Sequence, residues 1–136
     1  MRMSLVALPL ALVALPACTS TMSSDPTHVA VELRHCFEAV APLDVADKAK
    51  VLAPCAEEKG PALIAQLESV EPRAPQADCH ADALAGARRA VGAMQDLLKV
   101  YRRAKGNDAG PRAIASARNI DQGLTQLQDA LRICMP

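Results

Sequence analysis

Apolar residues recur every three or four positions along most of this chain. The sharpest pattern runs from Ala77 to Lys105, where Leu84, Ala87, Val91, Met94, Leu98 and Tyr101 fall at heptad spacing. Beside them Cys79, Ala83, Gly86, Ala90, Ala93, Leu97, Val100 and Ala104 form a second stripe. The remaining face carries Asp78, Asp82, Arg88, Arg89, Gln95, Asp96, Lys99, Arg102 and Arg103. An apolar arc this wide predicts a long helix that contacts more than one partner. Its acids lie at the start and its bases at the end, as the helix macrodipole favours. "GNDAG", 106–110, breaks the pattern, and Pro111 is suited to the first turn of a last helix. There Ala113, Ala117, Ile120, Leu124, Leu127, Leu131 and Cys134 form one continuous stripe.

Upstream the pattern is shorter and interrupted. Val29, Leu33, Cys36, Phe37 and Val40 predict an amphipathic helix over 28–41, with Thr27 as N-cap and Pro42 as terminator. Asp44 is placed to cap a second helix, in which Val45, Ala49, Leu52 and Cys55 or Ala56 share a side. Pro54 and Gly60-Pro61 predict that this helix is broken before Leu63, Ile64 and Leu67 resume it. "EPRAPQ", 71–76, reads as a link. No strand-like alternation and no internal repeat occurs, so the fold class expected is all-α: a small disulfide-stapled bundle of about four helices.

The first 24 residues differ. Arg2 is their only charge, and Ser4 to Ala17 is an apolar run. That run, about 14 residues, is too short to span a bilayer core, which needs about 20. A basic start, an apolar middle and a small residue before a cut describe a secretory signal peptide over 1–17. Its end, "LPAC", resembles the lipobox of bacterial lipoproteins, with Leu15 at −3, Ala17 at −1 and Cys18 after the cut. Pro16 stands at −2, where that family usually has a small residue or Val. The resemblance implies that Cys18 carries a diacylglycerol and an acylated amino terminus, and so anchors the protein to a membrane. Thr19, in place of the Asp that holds such proteins in the inner membrane, implies the periplasmic face of the outer membrane. Ordinary signal-peptidase cleavage near "ACTSTMSS" is the alternative and would give a free periplasmic protein. Residues 18–27 read as a lipidated terminus and polar tether, and 28–136 as one helical domain.

Composition narrows the function classes. The chain has 15 basic and 15 acidic residues, so loss of Arg2 leaves 14 against 15. That balance does not fit a nucleic-acid binder. Phe37 and Tyr101 are the only aromatics, too few for stacking platforms. The five cysteines, 18, 36, 55, 79 and 134, are an odd set for an exported protein. With Cys18 set aside, Cys36, Cys55, Cys79 and Cys134 make two disulfides in an oxidising compartment. Hairpin register favours 79–134, because each lies roughly 35–38 Å along its helix from the 106–110 loop. Cys36 then pairs with Cys55; the alternatives are 36–79 with 55–134, and 36–134 with 55–79.

Candidates for chemistry are few. His35-Cys36 and Cys79-His80 put imidazoles beside cysteines, but oxidation would remove the thiolate that a Cys–His nucleophile needs. His28 and His35 lie seven apart on one helix, with Glu32 between, and form an incomplete metal set. Asp78 and Asp82 suit a helix N-terminus. Lys99, Arg102, Arg103, Lys105 and Arg112 cluster near the 106–110 loop, as a solvated helix end or as a site for an anionic partner. No nucleophile elbow, zinc motif or phosphate loop occurs. The expectation is a non-enzymatic envelope lipoprotein with no cofactor and no metal, a structural module or one that binds another envelope protein. A periplasmic metal- or small-ligand-binding bundle is the alternative.

Overall fold

The structure, a computed structural model, describes residues 25–73 and 75–134. Cys18, the expected lipobox and most of the expected tether lie outside the described residues. The chain forms α1 (Pro26–Ala39), α2 (Val45–Pro54), a π-helical segment (Cys55–Lys59), α3 (Gly60–Glu68), α4 (Ala77–Arg103) and α5 (Gly110–Cys134). Because α2, the π segment and α3 run on without leaving helical backbone angles, these make four rods in an all-α bundle.

The α4–α5 hairpin is the frame, with α1 against α5 and with α2 and α3 against α4. Both stripes of α4 are used. Ala87, Val91, Met94, Leu98 and Tyr101 are buried, and so are Ala83, Gly86, Ala90, Ala93 and Leu97. The hairpin closes tightly because Gly86 and Gly123 face each other. A Cβ on Gly86 would stand 2.6 Å from the Leu127 amide nitrogen, and one on Gly123 2.6 Å from that of Ala90. Only residues without a Cβ allow the two backbones this close.

Two helix starts and breaks differ from expectation. The first helix begins at Pro26, not 28, and its cap is Asp25, whose Oδ1 accepts the Thr27 N–H at 3.1 Å. Pro26 occupies the first turn, where its missing N–H costs nothing. The larger correction concerns Gly60-Pro61, which does not interrupt the helix. Gly60 N–H reaches back to Cys55 O, one residue further than in an α-helix. Ala56 O then has neither Gly60, which is used, nor Pro61, which has no N–H. Gln95 of α4 donates its Nε2–H to that carbonyl at 3.3 Å. The extra residue also lets Cys55 and Ala56 both face inward. Gly60 is buried against Val91, whose Cγ2 would lie 2.7 Å from an added Cβ.

The turns are tied by side chains from neighbouring elements. Lys48 of α2 donates to Val40 O at 2.9 Å and Ala41 O at 3.1 Å, supplying the cation that the last turn of α1 lacks. Asp44 caps α2 through the Asp47 N–H, as expected. Asn107, in the hairpin loop, accepts the Val45 N–H at 2.7 Å, so the loop end is pinned to the start of α2.

Candidate functional site

The four described cysteines come together in two pairs. Cys36 is bonded to Cys55, with their Cα atoms 6.6 Å apart, and Cys79 to Cys134, with theirs 5.8 Å apart. The hairpin register therefore holds: Cys79 opens α4, Cys134 closes α5, and they meet at the end away from the 104–109 loop. Cys55, bonded to Cys36, is the first residue of the π segment. The histidines beside the cysteines have other surroundings. His80 donates Nε2–H to Leu67 O at 2.8 Å and closes the end of α3. His35 is exposed on α1.

The structure does not turn His28 and His35 into a metal site. His28 Nε2 lies 2.9 Å from Glu32 Oε1, and the other carboxylate oxygen lies 3.2 Å from Lys59 Nζ in the π segment. The Lys59 hydrogen bond, helped by the charges of Lys59 and His28, holds the Glu32 carboxyl below its ordinary value of 4.5. Glu32 thus ties α1 to the π segment. Among the described residues no three His, Cys, Asp or Glu side chains are grouped to hold a metal. Asp78 and Asp82 are exposed at the start of α4 and are not brought onto a common partner.

The basic cluster is divided. Arg102 turns to Glu57, with Nη2 3.1 Å from Oε1 and Nη1 3.3 Å from Oε2. Lys99 and Arg103 of α4 and Arg112 of α5 instead line a common cleft of about 530 Å³ beside the hairpin loop. Among the described residues Asp96 is the one acid lining it, and Ala104, Ala109 and Ala115 are among its small apolar residues.

Two features were not expected from the sequence. The first is Arg34 of α1, whose side chain is 19% exposed and lies across α5. It donates to Asp121 at 2.6 Å, Thr125 at 3.0 Å and Gln128 at 3.2 Å, three residues on one face of that helix. The second is an apolar pocket of about 230 Å³ at the disulfide end, lined by Pro26, Leu67, Val70, Pro72, Ala83 and Leu131 among others. Pro26 puts the start of α1 at its lining. Among the described residues no helix is long and apolar enough to cross a membrane. Comparison with protein-family models, with curated protein sequences and with solved structures finds no match to this chain.

Proposed function

We propose that this protein is a small cell-envelope lipoprotein, held by Cys18 at the periplasmic face of the outer membrane, and that it acts without catalysis by binding another envelope protein. The observation that carries this reading is the complete pairing of Cys36 with Cys55 and Cys79 with Cys134. Two disulfides suit an oxidising compartment. The fifth cysteine is the one that follows the apolar run in "LPAC". Asp25 lies seven positions after it, a reach of at most about 25 Å. Two or more acyl chains there would give a stable anchor without a spanning helix. The binding role draws on the surface: the tether root adjoins an apolar pocket, and Val70 beside it is 52% exposed.

Fractionation of wild type and Cys18→Ser, with labelled palmitate, tests the anchor. Wild type should carry label and sediment with the outer membrane, and Cys18→Ser should be unlabelled and soluble in the periplasm. Unchanged fractionation of the variant would remove the lipoprotein reading. Cross-linked pull-downs with both forms test the binding role. One shared outer-membrane partner in near-stoichiometric yield is expected, and recovery of none would remove that role.

A further inference from the structure

We infer that the cleft between the end of α4 and the start of α5 is a binding site for a phosphate group, held by Lys99, Arg103 and Arg112. The other arginines of α4 are engaged, whereas Lys105 and Arg118, outside the cleft lining, have no partner among the described residues. Arg88 pairs with Glu68 at 2.6 Å, Arg89 donates to Asn119 and Gln122, and Arg102 pairs with Glu57. Lys99, Arg103 and Arg112 have no hydrogen bond or ion pair among the described residues. Yet they line the same cleft from two helices.

Lys99 and Arg103 alone are accounted for by the C-terminal end of the α4 dipole. Arg112 is not. It sits in the first turn of α5, where the dipole is positive and a cation is disfavoured, and that turn contains no acid. Asp108, the nearest acid in the loop, accepts the Gly110 N–H at 2.9 Å. Among the described residues only Asp96 offsets the three cations within the cleft. A local rule is broken with no compensation among the described residues, and a bound anion would supply it. Arginine forks and a lysine ammonium suit phosphate oxygens, which accept charge-assisted hydrogen bonds from both. Ser116, also in the lining, offers a neutral donor. The cleft has room for a phosphate group carried on a larger molecule, either a soluble phosphate ester or a lipid headgroup.

This inference does not rest on the lipid anchor. It is tested on the chain carrying Cys18→Ser, purified with its disulfides formed. Calorimetry with inorganic phosphate and pyrophosphate should show saturable binding, with amide shifts confined to 99–104 and 109–116. Arg112→Gln should weaken binding about tenfold or more, the scale of one charge-assisted hydrogen bond. Lys99→Gln with Arg103→Gln should do the same from the other helix. Arg88→Gln, which removes an equal charge from α4 outside the cleft, should leave affinity unchanged. Far-UV circular dichroism would show each variant folded, since all these side chains are exposed. Sedimentation with phosphatidylglycerol vesicles, against phosphatidylcholine alone, separates the sources. Vesicle binding lost in Arg112→Gln assigns a lipid headgroup, and pyrophosphate binding without vesicle binding assigns a soluble ester. No saturable binding to any of these probes, or equal weakening by Arg88→Gln and Arg112→Gln, would overturn the site.

Discussion

Single polar side chains on this surface do the work of aligning helices whose buried faces are mostly small and aliphatic. Arg34 is the clearest case, since one guanidinium fixes α1 on α5 through Asp121, Thr125 and Gln128. Its hydrogen bonds are charge-assisted and partly shielded, so Arg34→Ala should lower stability by about 1–3 kcal/mol. Asp121→Ala should cost less than about 1 kcal/mol, because that carboxylate is 61% exposed and its pair is screened by solvent. Urea unfolding of both variants measures the difference, and equal losses would show that Arg34 acts through Asp121 alone. Glu32 makes a separate, pH-dependent tie. Its carboxyl is shifted downward in the fold, first by the Lys59 hydrogen bond. A depressed acid contributes stability that is complete above its ordinary 4.5 and is lost as pH falls through the lower folded value. The urea midpoint of wild type should therefore fall more steeply than that of Glu32→Gln below pH 4.5. Parallel curves would show that the Lys59–Glu32 contact contributes nothing.

Among the elements, those with a long uninterrupted period were legible in the sequence and those shaped by a neighbour were not. Both stripes of α4 and the single stripe of α5 are where the spacing puts them, because heptad positions on a paired helix can only point at the partner. The Cys79–Cys134 register follows from equal distances to one loop. Gly60-Pro61 misled because its cost as a helix breaker is offset from outside: Gln95 satisfies Ala56 O, and Val91 takes the space a side chain would need. Neither partner is local to the break, so no window around residue 60 contains the answer. Glycine within α4 and α5 also has two meanings that spacing does not separate. Gly123 sits where a Cβ would meet the Ala90 nitrogen at 2.6 Å and the Gly86 oxygen at 2.8 Å. Those are backbone atoms, so Gly123→Ala should push the helices apart and cost about 1–3 kcal/mol despite alanine's higher helix propensity. Gly92 has nothing within 4 Å of an added Cβ. Gly92→Ala should therefore stabilise by about 0.5–1 kcal/mol. Thermal unfolding of the two variants should move in opposite directions; a stabilising Gly123→Ala would contradict the close crossing.

For the whole molecule the decisive quantity is how much of its stability is covalent. The core is built on Ala, Leu and Val with one Met and a Tyr at its edge, and its only Phe, Phe37, is partly exposed. A domain of this size has a net stability of about 5–15 kcal/mol. In the chain-entropy model the disulfide spanning 55 residues contributes about 4 kcal/mol and the one spanning 19 about 3. Together they are comparable with the entire net stability. The candidate site depends on them unequally. The Cys79–Cys134 bond holds the end of the hairpin near the start of α1, while Lys99 and Arg103 of the basic cleft lie about 30–36 Å further along α4. The basic residues of that cleft could be read from the sequence as a cluster, but the departure of Arg102 to Glu57 could not, since 45 residues separate the two. Two expectations follow from the covalent share. Cys79→Ser with Cys134→Ser should lower the urea midpoint more than Cys36→Ser with Cys55→Ser, because the longer loop recovers more entropy. With both bonds reduced, the chain should lose most of its cooperative helical signal at 37 °C and regain it on oxidation. Far-UV circular dichroism with and without reductant checks this directly. A fully reduced chain that keeps an unchanged sharp transition would show that the aliphatic core suffices alone. A collapse on reduction would show that the aliphatic core needs both covalent ties to hold its fold.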